Sequence, residues 1–461
     1  MDPSFDVDKL SYEIFSILES KFLFGYDDPK LFLSSGSLPV TPGKTPTKHH
    51  TPSGKVCILS IDGGGRASDG LLAGAALVRL ESSLRQRSGN PAARIADFFD
   101  VAAGSGAGGV LAAMVFSRGP HGRPLFSAEE AMGFLIRNLR RKWSPDGGRK
   151  ALLRGLFRRS GGKVFRKVFG EMTLRDTVGA VLIPCYDMVT GGPFLFSRAD
   201  AVENEGFDFL MSDVCAATCA EGEGKAVEIK SVDGRKRIVA VGGGVAMGNP
   251  TAAAITHVLN NKVEFPHAAG VKDLLVVSIG SGEVGEHGRK TPPPTSSEIV
   301  RIAAEGVADM VDQAVAMAFG HNRTSNYIRI QATGSLLRNL DTSKVVCNAE
   351  STEKKKVAGE AEEMLSQKNI ESVLFRGKKL AEESNAEKLE WFAHELVKEH
   401  DRRKISPLPT VVVKQPMTPR LSSETSSIIT TTTTTTTTPT KTLTTSPSYS
   451  ILVGRVLNTI L

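Results

Sequence analysis

The sequence predicts an α/β fold with a mostly parallel central sheet, and three observations carry that prediction. Short buried-strand patterns alternate with helical ones along the chain. Two of the strands run straight into glycine-rich turns that open helices. The 461 residues are 40% hydrophobic and 23% charged, globular usage that excludes wholesale disorder.

The elements follow in order. Leu10, Ile14, Ile17 and Leu18 form one helical face near the N-terminus. Residues 36–54 are rich in Pro, Thr, Ser and Gly and read as a linker. Residues 56–61 (VCILSI) form a buried-strand pattern, and a helical pattern runs over 71–84. A second strand is expected over Phe98–Ala103, a second helix over Gly109–Phe116, and a later strand over Leu274–Ile279. Residues 355–402 are charged and helical in pattern, with Trp391, Phe392, Leu396 and Val397 on an apolar face. Nine consecutive threonines, Thr430–Thr438, mark residues 406–450 as low-complexity and disordered. The expected organisation is therefore a helix and linker over 1–54, a domain over 55–405 with its motifs in 55–262 and a helical remainder in 263–405, and a Thr/Ser/Pro tail over 406–461.

Composition narrows the function. No apolar run is long enough to span a bilayer, the apolar end Ile451–Leu461 included. The acidic N-terminus lacks a signal-peptide pattern. Five scattered cysteines argue against a disulfide scaffold, and Cys215 and Cys219 lack the second pair a zinc site needs. A cytoplasmic chain without metal or cofactor is expected. Its net charge is +7, yet Arg137–Lys167 alone holds twelve Lys/Arg against one acid, Asp146. Apolar residues interleave with these charges. Such a stretch suits peripheral contact with an anionic membrane, at the plasma membrane for instance, through Arg158, Arg159, Arg166 and Lys167. A solvated helix face has the same signature. A nucleic-acid binder would add a recognised module or an aromatic platform, and neither is present, so no nucleic acid is expected.

Two turns carry the chemical information. In Asp62-Gly63-Gly64-Gly65-Arg66 a strand meets three glycines and then a helix, so successive N–H groups can cradle an oxyanion or a phosphate. The second turn contains Gly104, Gly106 and Gly109, a G-x-G-x-x-G spacing. Its context is wrong for a dinucleotide: Glu129 and Glu130, where the ribose acid would fall, lie in a helix-cap pattern rather than at a strand end. The same residues fit a strand–nucleophile–helix elbow, Gly104-Ser105-Gly106-Ala107-Gly108, with glycine at the nucleophile position.

Taken together, these motifs resemble the patatin family of lipid acyl hydrolases, in particular the plant group III proteins with a G-x-G-x-G elbow. The family carries a D-G-G-G oxyanion loop, a G-x-S-x-G elbow and a later D-G-G or D-G-A. Here the third motif is Val241-Gly242-Gly243-Gly244-Val245-Ala246-Met247-Gly248-Asn249-Pro250, and Gly242 falls where the catalytic Asp should be. The segments 278–282 (SIGSG) and 326–331 (NYIRIQ) match as well, so the likeness covers roughly residues 55–400. The resemblance implies a patatin-like three-layer sandwich and phospholipid or galactolipid acyl esters as substrate or ligand.

It implies a Ser–Asp dyad too, and both members are missing: Gly106 has no hydroxyl and Gly242 no carboxylate. Without them only the oxyanion loop and binding remain, about 10³–10⁴-fold over water. Gly63, Gly64, Gly65 and Arg66 would hold the oxyanion. Two extra residues precede Gly70 relative to the family pattern, so this loop is expected to be reshaped. Ser105 is the substitute nucleophile nearest in sequence, Asp62 reads as a tie for the glycine turn, and His257 reads as structural, while Asp69 and Asp233 lie near the motifs. The expectation is a lipid acyl hydrolase scaffold with weak, atypical or absent hydrolysis, and the alternative is a regulatory lipid-binding pseudoenzyme.

Overall fold

The computed structural model describes residues 54–139, 163–220, 226–282, 295–333, 350–373 and 377–414. In chain order the elements are β1 (Val56–Ile61), α1 (Leu71–Ser88), β2 (Val101–Gly104), α2 (Ala107–Phe116), α3 (Ala128–Asn138), α4 (Lys163–Phe169), β3 (Ala180–Asp187) and β4 (Gly192–Ser197). Then come α5 (Arg198–Glu203), α6 (Met211–Thr218), β5 (Val227–Lys230), β6 (Arg237–Val241), α7 (Gly243–Met247), α8 (Thr251–Asn260), β7 (Leu274–Ile279) and α9 (Ser296–Phe319). The chain closes with α10 (Arg323–Asn326), β8 (Tyr327–Ile330), α11 (Glu350–Ser366), β9 (Lys368–Val373), β10 (Gly377–Ser384) and α12 (Asn385–Ile405).

Eight strands form one sheet in the order β5-β6-β3-β2-β1-β7-β8, with β4 also paired to β3. The run β3-β2-β1-β7-β8 is parallel, and β4, β5 and β6 add antiparallel pairs at one side. Every residue of β1 and β7 is buried, as a parallel sheet covered on both faces requires. The period of two sorts their side chains. Cys57, Leu59 and Ile61 join a core with α1, α2, α3, α6, α11 and α12. Val56 and Ile58 join a second core with α8, α9 and Phe265. The result is a three-layer α/β sandwich. No described helix is long and apolar enough to cross a membrane.

Several boundaries differ from the sequence expectation. The second strand is only Val101–Gly104, because Ile95–Asp97 form a 3₁₀ turn that delivers Phe98 and Phe99 into the core from outside the sheet. The helix after the elbow starts two residues early, with Gly106 as its N-cap. The supposedly continuous helical region is two helices separated by the hairpin β9–β10. Its cue was a capping box: Ser384 Oγ accepts from Glu387 N–H, and Glu387 Oε2 accepts from Ser384 N–H. Beyond 405, Thr410 is buried and Val412 N–H donates to Glu264 O, so described packing reaches past that point. The helical pattern at Leu10–Leu18, Arg158 and Arg159, and the threonine run lie outside the described residues.

Candidate functional site

The parallel strands β1 and β2 end side by side, with Ile61 paired to Gly104, and their glycine turns therefore face each other. The approach is at backbone distance. A Cβ on Gly63 would sit 2.6 Å from Gly108 N and 2.6 Å from Ser105 O, so only glycine fits there. The third motif arrives from β6. A Cβ on Gly243 would lie 2.6 Å from Thr218 Oγ1 and 2.9 Å from Ser105 Oγ. All three motifs thus meet at the C-terminal edge of the sheet, where open α/β sheets bind ligands.

Gly106 has φ +53° and ψ −124°, the strained geometry of an elbow, with no side chain on it. Its N–H donates to Thr218 Oγ1 at 2.9 Å. The space a serine Cβ would need is taken: it would lie 2.2 Å from Gly64 O. That carbonyl also accepts from Ala107 N–H at 2.8 Å. In an elbow enzyme the N–H after the nucleophile is an oxyanion donor. Here the glycine loop satisfies that donor with its own carbonyl, so the loop is latched onto the elbow.

The root of the loop is held from below. Asp62 N–H donates to Ile279 O, and Arg329 Nη2 donates to Asp62 Oδ2 at 2.6 Å. Arg329 Nη1 donates to Ser278 Oγ at 2.7 Å, and Thr251 Oγ1 links Ser278 to Ser60 and Asn249. Both Asp62 and Arg329 are buried. Burial pushes the Asp62 carboxyl up, and Arg329 opposes that shift. Burial also acts against the Arg329 charge, but Asp62 outweighs it and holds the guanidinium above its ordinary range. Asp62 is therefore the anchor of the turn, and Asp62 Oδ1 has no hydrogen-bond partner among the described residues. Arg329 had no assigned role in the sequence. Its signal was an arginine in an otherwise apolar strand, Tyr327-Ile328-Arg329-Ile330.

The remaining candidates fall as follows. Gly242 is buried with φ −53° and ψ 145°, and its N–H donates to Ala220 O at 2.7 Å. Ser105 is fully buried, its Oγ lies against Gly243, and so it presents no hydroxyl to a substrate in this arrangement. Arg66 is exposed and pairs with Asp69 at 3.3 Å. Asp233 accepts from Ser231 Oγ in the β5–β6 turn, at the end of that hairpin away from Gly242. His257 lies edge-on to Phe265 in the α8 layer, and burial lowers its pKa to about 4. Glu130 completes a capping box with Ser127, and Glu129 pairs with Arg85, so neither serves a ribose. On α4, Phe165 and Phe169 are buried and Lys167 is exposed, while Arg166 is exposed and bonded to Glu171 at 2.5 Å.

No family model matches the chain. Curated relatives do. "Patatin-like protein 3" of Oryza sativa subsp. indica is 58% identical over 407 residues, covering 86% of this chain and 92% of that protein. The chain belongs to the plant patatin-like protein family. "Patatin-like protein 7" of Arabidopsis thaliana is 53% identical, covering 90% of this chain and 86% of its own. "Probable inactive patatin-like protein 9" of the same plant is 37% identical, covering 85% and 93%. The mostly parallel sheet is consistent with that family.

Proposed function

We propose that this patatin-like protein engages phospholipid or galactolipid acyl esters at the glycine edge, with hydrolysis weak or absent. The observation that carries this reading is the Gly64 carbonyl on Ala107 N–H, in the space of a serine Cβ at Gly106. A Ser–Asp mechanism needs a hydroxyl for attack, a carboxylate to take its proton and free N–H donors for the oxyanion. Glycines replace the first two, and the third is occupied by the protein itself. An acyl carbonyl competes with Gly64 O for the same donor, so engagement requires the loop to lift. The latch also favours the second reading, a regulatory lipid-binding pseudoenzyme. In either case the chain acts in the cytoplasm, at an anionic membrane surface that the basic stretch with Arg158, Arg159, Arg166 and Lys167 contacts.

The test is fatty-acid release from phosphatidylcholine and from a galactolipid by the purified protein, beside its binding to vesicles of the same lipids. Binding is expected with release no more than about 10³–10⁴-fold over water. Turnover near 1 s⁻¹ or faster, ordinary for an enzyme, would overturn the latched reading. Absence of binding to either lipid would overturn both.

A further inference from the structure

Helix α9 carries an apolar face that the described fold leaves open. It packs on the sheet layer through Val315, Ala316 and Phe319. The opposite face holds Val300, Ala303, Val307, Met310, Ala314 and Met317, and all six are exposed. Val300, Val307, Met310 and Met317 are each more than half exposed. Their spacing alternates three and four residues, the pattern of a seam that receives a second helix. The charges of α9 lie off this stripe: Arg301 pairs with Glu305, Asp309 with Lys378, and Asp312 accepts from Tyr327. Single exposed apolar residues are unremarkable, but a charge-free stripe along a whole helix marks a contact surface.

We propose that the chain's own N-terminal segment, Leu10–Leu18, docks on this stripe through the apolar side of its sequence pattern. Its Leu10, Ile14, Ile17 and Leu18 supply the matching apolar face. The chain also enters the described fold at the foot of α9. Lys55 Nζ donates to Asn326 Oδ1 at 2.8 Å, and Asn326 ends α10, which follows α9 after a three-residue turn. About 35 residues lie between Leu18 and Gly54. A coil of that length spans on average about 30–35 Å. The 24 residues of α9 are about 36 Å long, so the segment reaches any point of the stripe.

A second copy is the weaker occupant. The stripe is about 26 Å long and one helix wide, roughly a few hundred Å² a side, against about 800 Å² per partner in stable association. Tethering replaces the missing area with an effective concentration in the millimolar range. The docking does not depend on whether the protein turns over lipid.

The test uses the full chain with Ile14→Cys and Met310→Cys in a Cys347→Ala background, the other four cysteines being buried. Mild oxidation should give an intrachain disulfide in the monomer, at least about fivefold more than the control pair Tyr12→Cys with Met310→Cys, which sits on the polar side. Equal yields from the two pairs, no disulfide, or an interchain product would overturn the proposal, the last in favour of a second copy. Separately, Ile14→Asp with Ile17→Asp should raise binding of an apolar dye several-fold, and adding Met310→Asp should reverse most of the rise. Unchanged dye binding would count against docking. Vesicle binding by the unmodified chain that Met310→Asp abolishes would assign the stripe to a bilayer instead and overturn the proposal.

Discussion

Gly106 and Gly242 are the two glycines that the resemblance sets at the dyad positions, and the fold treats them differently. At Gly106 the backbone has a positive φ, and the space a side chain would need holds the Gly64 carbonyl. At Gly242 the backbone is in a region any residue adopts, and its N–H makes an ordinary bond to Ala220 O. At Gly242 only a side chain is wanting. At Gly106 the neighbouring loop also occupies the space a side chain would need. Restoring two letters therefore does not restore two functional groups: Gly106→Ser with Gly242→Asp should release no more fatty acid than the unmodified protein, and activity from this pair would show that the loop yields.

The comparison can be broken at its anchor, where the largest effect is expected. Arg329→Leu strands the buried Asp62 carboxylate and should cost about 3–5 kcal/mol in urea unfolding. It should also loosen residues 62–66 in hydrogen exchange. Gly106→Ala comes next. Positive φ and a Cβ against a carbonyl should together cost about 2–4 kcal/mol, read as a lower unfolding midpoint. A third test lies outside the site. His257 is buried neutral with its pKa lowered to about 4, against 6.5 for the ordinary group. A depressed folded pKa means that its contribution is complete above pH 6.5 and is lost as pH falls toward 4. At pH 5 the loss is about 2 kcal/mol, and His257→Phe should flatten that part of the stability profile. The smallest effect sharpens the comparison: Gly242→Ala should cost within about 1 kcal/mol, since no left-handed backbone is imposed there. A Gly242→Ala cost equal to that of Gly106→Ala would erase the distinction.

Much of this was legible in the residues. The β1 and β7 patterns were read with their observed bounds, because a strand buried on both faces is a continuous apolar run. The three glycine motifs were found because tight turns and backbone contact leave few alternatives to glycine. The hairpin between α11 and α12 was missed because β10 is charged and mostly exposed, with Lys378, Lys379, Glu382 and Glu383. Such a strand has the composition of a helix surface. Arg329 was missed for the opposite reason: its partner, Asp62, is 267 residues away in sequence.

The sequence by itself determined the layered α/β architecture, the family, the places of the three glycine motifs and the role of Asp62 as a tie. These follow from local rules: apolar period, turn chemistry and the side chains a glycine lacks. Only the tertiary structure decided that Gly64 closes over Gly106, that Ser105 faces inward and that Arg329 anchors Asp62. Each of those depends on which groups of segments distant in sequence the fold brings into contact. Those contacts are set by the packing of β1 against β2 and β7, and no pattern within a single segment encodes them.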